Sequence, residues 1–283
     1  MRIGQPGLLV LFALLAGAAE AQWLHYPTPG IPRTRSGKAN LSAPAPRAAS
    51  GKPDLSGLWQ VEATPFAELT RLFGPDIDAL SVPGDDLRTF SKYAISILAD
   101  FKPDEAPIRP EAAQIAQRRF EALGRDNPTG LCEPGGVPFG GILPFPNKFI
   151  QTPGLLVMLQ EADGGLRQVF LDGRKHTADP QPSWMGYSVG RWEGDLLVVD
   201  TVGFNDKGWL DAFGHPRSEA LRLEERYHRR DFGHMEVRVT FDDPKMFTRT
   251  FSIQYTLDLV PDSEIAEYVC AENEKDLAHF DKH

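Results

Sequence analysis

Nothing constrains the fold of this chain more than the alternation that begins near residue 149. Apolar and polar residues exchange with a period of two, as in Phe247, Phe251, Ile253, Tyr255 and Leu257 against Thr248, Thr250, Ser252, Gln254 and Thr256. Side chains two apart in a strand point to the same face, so this pattern marks half-buried β-strands. It recurs at 149–152, 155–162, 166–172, 185–192, 195–204, 220–230, 234–241, 247–258 and 264–270. Turn-forming links join several of these segments: Asp163-Gly164-Gly165, Glu193-Gly194-Asp195, Asp231-Phe232-Gly233 and Asp242-Asp243-Pro244. Most links are too short for the crossover that parallel pairing needs, so the sheet is expected to be an antiparallel meander. About nine one-faced strands must close or curl to bury that face. The expected fold is therefore mainly β: an up-and-down barrel or a strongly curved sheet, with an N-terminal loop and helix insert.

Three charges interrupt the apolar phase. Asp200 shares its phase with Leu196, Val198 and Val202, Glu225 with Leu221, Leu223 and Tyr227, and Arg249 with Phe247 and Phe251. An unpaired charge is costly inside a protein, so the three are expected to meet in one interior site. Such a cluster either fixes register as a structural network or forms a polar centre. In the second case Arg249 anchors an oxyanion or carboxylate, and one carboxylate with a raised pKa moves a proton. Full pairing, with Arg249 bridging both carboxylates, is the cheaper way to bury three charges.

Residues 1–21 read as an export signal. Arg2 precedes an apolar run, Gly7 to Ala18, that is too short to span a bilayer, and Ala19-Glu20-Ala21 fits a small-x-small cleavage site. The expected address is secreted or periplasmic, with no membrane insertion after cleavage. Residues 22–55 are rich in Pro, Gly and Ser and read as an extended strap or linker. Pro32-Arg33 with Ser36-Gly37-Lys38 returns fourteen residues later as Pro46-Arg47 with Ser50-Gly51-Lys52. Residues 56–148 hold a first strand at Gly57–Ala63 and an insert with helices near 66–72, 87–99 and 110–123. The β-domain runs over 149–276, followed by a tail at 277–283. A net charge of −9 opposes nucleic acid and anionic membrane surfaces as partners. The chain has two cysteines, Cys132 and Cys270, and export makes a disulfide between them the expectation.

Other motifs fail their context. Gly186-Tyr187-Ser188-Val189-Gly190 matches the G-x-S-x-G nucleophile elbow, but strand and turn residues follow it where a helix is required. Asp231-Phe232-Gly233 reads as a hairpin turn, because no other phosphotransfer motif accompanies it. No phosphate-binding or dinucleotide fingerprint occurs, and the seven histidines are scattered, so no cofactor and no metal site are expected. Asp172, Arg174 and His176 follow a strand that should end at a barrel rim, which makes His176 a further acid–base candidate. Arg174, Tyr187, Trp209, Phe213 and Tyr227 are the expected ligand contacts. Trp209 and Phe213 fall in a loop between strands that reads either as a lid or as a satellite apolar cluster.

Several strings resemble a widespread family of secreted bacterial β-rich proteins. They include Gly57-Leu58-Trp59, Leu171-Asp172-Gly173-Arg174, the run Trp184 to Asp195, Thr201-Val202-Gly203-Phe204-Asn205-Asp206 and Glu267-Tyr268-Val269-Cys270. The resemblance implies an exported β-domain and carries no reaction with it. A weaker likeness, in Gly57-Leu58-Trp59 alone, is to the G-x-W start of lipocalins. The functional expectation is a barrel that binds a small, partly apolar molecule. The alternatives are a cofactor-free acid–base enzyme built on the same residues, and a structural envelope-associated protein without a pocket.

Overall fold

The computed structural model describes residues 26–80 and 86–270; the expected export signal and the tail lie outside the described residues. Nine strands form one closed barrel in chain order: β1 (Gly57–Val61), β2 (Asn147–Thr152), β3 (Leu155–Gln160), β4 (Leu166–Phe170), β5 (Tyr187–Glu193), β6 (Leu196–Val202), β7 (Arg222–Arg229), β8 (His234–Asp242) and β9 (Phe251–Leu259). All neighbours pair antiparallel except β4 and β5, which run parallel. An odd-numbered ring requires such an exception, because strand direction must return to its starting sense after one circuit. The parallel pair sits where residues 171–186 supply a long enough crossover.

The registers place one set of side chains inside all round. Trp59 faces Leu259 and Asn147, Phe149 faces Met158, and Met158 faces Arg167. Ser188 faces Thr201, Val199 faces Glu225, Glu225 faces Val239, and Val239 faces Ile253. Leu197, Val199, Leu223, Val237, Val239 and Ile253 are buried in one apolar core with Trp59.

The insert supplies helices α1 (Phe66–Phe73), α2 (Lys92–Ile95), α3 (Pro110–Glu121) and α4 (Phe139–Ile142). Pro110 opens α3, Glu111 lies in its first turn, and Arg118 and Arg119 close it, which suits the helix dipole. The expected helix over 87–99 breaks into a 3-10 turn at Leu87–Thr89 and the single turn α2. Phe90 ends the first turn and Ser91 caps the second by accepting from the Tyr93 amide, and both residues are extended, which separates the two.

The repeated N-terminal segment forms two equivalent clips. Arg33 pairs with Ala39 and Arg47 with Pro53 in isolated bridges. Each arginine donates to the carbonyl of the glycine four residues on, Gly37 or Gly51. Each then reaches an aspartate of the β-domain, Asp262 for Arg33 and Asp195 for Arg47. Cys132 and Cys270 are disulfide-bonded, tying the insert to the far end of the chain.

Two strand expectations fail. Residues 264–270 form no strand; a turn at Pro261-Asp262 ends the ladder, and Glu264 instead holds Lys148 at 2.5 Å. β9 begins only at Phe251. Residues 244–246 turn on the Asp243 carbonyl, and Phe247 leaves the barrel ladder to bridge Ile108.

Candidate functional site

The polar centre of the barrel is built on β4 and β7. Arg167 and Glu225 are 4% and 1% exposed, and they pair face to face. Nη1 of Arg167 donates to Oε1 of Glu225 at 3.0 Å, and Nη2 donates to Oε2. Nε donates to the Ser188 hydroxyl at 3.1 Å, and Nη2 also donates to Thr201 at 2.9 Å. Tyr227 donates its hydroxyl to Glu225 Oε1 at 2.7 Å. Burial acts to lower the Arg167 pKa, but the charge and hydrogen bonds of Glu225 outweigh it and hold the guanidinium above its ordinary value. Burial, then the Glu225 charge, pushes the phenols of Tyr227 and Tyr255 up. Glu225 is thus locked into a bidentate pair with a third donor on one of its oxygens.

Beside this pair lies a cavity of about 30 Å³, enough for a water molecule. Its polar walls are Arg167, Glu225, Tyr227, Tyr255, Asn147 and Gln160; Phe149, Met158 and Leu257 add apolar surface, and Val137, Pro138 and Gly141 close it. The segment 136–142, which includes α4, is therefore a cap on this cavity. The Gln160 carboxamide is wedged beneath it, because a Cβ at Gly140 would stand 2.5 Å from Oε1. Oε1 of Gln160 is buried without a hydrogen-bond partner, which is costly unless something in the cavity satisfies it.

Of the three charges expected to meet inside, only Glu225 is there. Asp200 faces Val189 and Glu224 on the outer surface of the barrel and pairs with Arg222. β6 reads Leu-Leu-Val-Val before Asp200, so both phases are apolar, and the inward one is Leu197, Val199 and Thr201. Arg249 is exposed, lies outside β9, and stacks 5.4 Å from the Phe101 ring. Its expected place is taken by Arg167, which the sequence reading did not single out. Arg167 shares a phase with Val169 and Leu171, but Leu166 and Phe170 offer an equally apolar alternative face. Gln160 and Tyr255 were also missed as cavity residues.

The other candidates gather elsewhere. His176 lies with Asp200, its Nε2 3.8 Å from Oδ2, and its ring meets Tyr187 at 6.0 Å. Arg174 stacks over Phe170 at 3.8 Å and forks onto Asp172 at 2.6 Å. This group is on the outside, over the crossover, so His176, Arg174 and Tyr187 do not line the cavity. Trp209 and Phe213 form neither a lid nor a separate satellite cluster: Trp209 belongs to the main apolar core, and Phe213 packs against it. Trp209 is buried under Arg119, and Phe213 packs edge-on against Phe73 and Phe120. Tyr227 alone of the expected ligand contacts reaches the cavity. Ser188 of the G-x-S-x-G string is buried on Arg167 and Thr201 with no helix behind it, so it lacks the exposed elbow.

A second polar group occupies the long β6–β7 loop. Asp211, fully buried, accepts from the Ile97 amide at 2.7 Å, the His215 amide at 3.2 Å and His215 Nδ1 at 2.5 Å. Two residues on, Arg217 is buried with its Nε on the Asn205 carbonyl at 2.9 Å and Nη2 on Asn205 Oδ1 at 2.8 Å. Among the described residues no group of three or more His, Cys, Asp and Glu side chains could hold a metal, and no helix is long and apolar enough to cross a membrane. Comparison with protein-family models, curated proteins and solved structures gave no match.

Proposed function

We propose that this protein is an exported barrel that binds a small, partly apolar molecule in the capped end of its interior. The observation that carries the reading is the cavity beside Arg167 and Glu225, with an unsatisfied Gln160 oxygen on its wall and apolar side chains around it. Sites of this kind orient a ligand by a few polar groups and bind it through apolar contact. As it stands the cavity takes a water, so a larger ligand enters by displacing residues 136–142. The cap is a single helical turn held by short-range bonds, Gly140 N to the Gly136 carbonyl and Gly141 N to the Pro138 carbonyl. The expected export and the disulfide agree with an oxidising compartment. An acid–base enzyme built on Glu225 is the weaker reading, because its carboxylate is committed to Arg167 and Tyr227.

The test is native mass spectrometry of the protein purified from a periplasmic extract, followed by hydrogen exchange with and without the released molecule. A co-purifying small molecule that slows exchange at 136–142 is the expected result. A protein that carries nothing, and whose cap exchanges no faster than the barrel strands, refutes the reading.

A further inference from the structure

Both charges on the cavity wall are committed to the protein itself. Arg167 directs Nε to Ser188, Nη1 to Glu225, and Nη2 to Glu225 and Thr201. Glu225 accepts from Arg167 on both oxygens and from Tyr227 on one. An ion entering beside this closed pair meets no opposite charge of its own, and losing its hydration there is costly. The remaining polar groups on the wall besides Tyr227 are neutral as well: Asn147, Gln160 and Tyr255.

Register sets the two carboxamides side by side. Asn147 and Gln160 pair across β2 and β3, at the end of the barrel that the cap covers. Asn147 Nδ2 donates to the Phe145 carbonyl at 3.2 Å, which fixes that amide. Gln160 is not fixed in this way, since its Oε1 is buried with no hydrogen-bond partner. Tyr255, paired with Val237 on β8, brings a hydroxyl that bonds to none of the described residues. Burial, then the Glu225 charge, keeps the proton on this phenol, so it stands as a donor at neutral pH. The wall therefore offers an acceptor and a donor, both uncharged. The cap bears on the same acceptor: a Cβ at Gly140 would stand 2.5 Å from Gln160 Oε1, and Gly141 lines the cavity. Displacing residues 136–142 opens the cavity onto the Gln160 carboxamide.

We infer that the polar head of the ligand is a neutral amide carried on an apolar body. This deepens the binding reading above and rests on it. The amide N–H donates to Gln160 Oε1, the amide carbonyl accepts from the Tyr255 hydroxyl, and the apolar body lies among Phe149, Met158 and Leu257. A carboxylate of the same shape brings no donor for Oε1, and an ammonium accepts nothing from Tyr255.

The experiment is calorimetric titration of the full processed protein at neutral pH with octanamide, octanoate and octylammonium, repeated on Gln160→Met and Tyr255→Phe. Octanamide is expected to bind wild type about 10–100-fold more tightly than either ion, the range for leaving a buried polar group unpaired. Tyr255→Phe should weaken octanamide about 2–10-fold, the range for one neutral hydrogen bond. Gln160→Met should bring the amide-to-acid ratio close to one. Loss of both affinities by the same factor, with the ratio retained, overturns the role of Gln160. Octanoate or octylammonium binding wild type as tightly as octanamide overturns the amide assignment and leaves the binding reading standing. Binding of none of the three overturns both. The wild-type comparison decides the matter even if a variant fails to fold.

Discussion

Replacing Glu225 by Gln tests the central pair most directly. The substitution preserves shape but removes the negative charge, leaving Arg167 buried at 4% exposure with Ser188, Thr201 and a neutral amide for partners. It also turns one oxygen that accepts from Arg167 and Tyr227 into either a weaker acceptor or a donor facing donors. Breaking a buried pair by removing one partner costs about 3–5 kcal/mol. Against a total stability of about 5–15 kcal/mol that is a large loss, and at roughly 2–4 °C per kcal/mol it lowers Tm by about 6–20 °C. The double variant Arg167→Met/Glu225→Leu removes both charges. It should recover most of the loss, giving a coupling of a few kcal/mol across the cycle. Urea unfolding of all four proteins, with the disulfide intact and m compared, measures this. A loss below about 1 kcal/mol for Glu225→Gln, or a double variant no better than the single ones, refutes the description of this pair as a buried mutual lock.

Asp200→Asn and Arg249→Met, in contrast, should each change stability by no more than about 1 kcal/mol in the same assay, because both side chains act at the surface. Reducing the Cys132–Cys270 bond opens a loop spanning 138 residues and should cost about 5 kcal/mol by the chain-entropy relation, read as a drop in urea midpoint under reductant. Tyr93, Tyr227 and Tyr255 hold their phenol protons above the ordinary pKa of 10.0, chiefly through burial. The unfolded chain gives these protons up first, so their contribution to stability is complete below pH 10 and is lost as pH rises further; their tyrosinate absorbance at 295 nm should appear only together with loss of circular dichroism. Asp195→Asn should speed tryptic cleavage within residues 38–52 without altering the barrel's near-ultraviolet spectrum, since it frees one of the two clips from the β-domain.

The barrel was legible because its strands differ in how plainly they declare a face. In β7 the charged Arg222, Glu224 and Arg226 alternate with Leu223, Glu225 and Tyr227, so the interior position of Glu225 follows from its neighbours. In β6 both phases are apolar up to Asp200, and only the register with β5 and β7 decides which one faces in. Arg249 misled because periodicity continues through a stretch that is not strand; the turn at Asp243 and the bridge from Phe247 to Ile108 are tertiary facts. Arg167 and Glu225 stand 58 residues apart and meet across the barrel, which local pattern does not encode. The cap at 136–142 lies in a Pro/Gly stretch whose role appears only when the open end of the barrel is in place.

The pairing of β1 with β9 has a consequence for how the chain reaches this state. Trp59 must find Leu259, so the ring closes only after nearly all of the described chain is available. Contacts this distant in sequence slow folding, since loop entropy is lost before they contribute. Until closure, β2 and β9 each present an unpaired edge that the finished ring conceals, and an unpaired edge is a template for another chain. A β1 donated by a neighbouring molecule fits the same gap as the chain's own. At high concentration the partly folded protein is therefore expected to form strand-exchanged dimers, whose populations depend on how fast β1 returns home rather than on how stable the barrel is once closed.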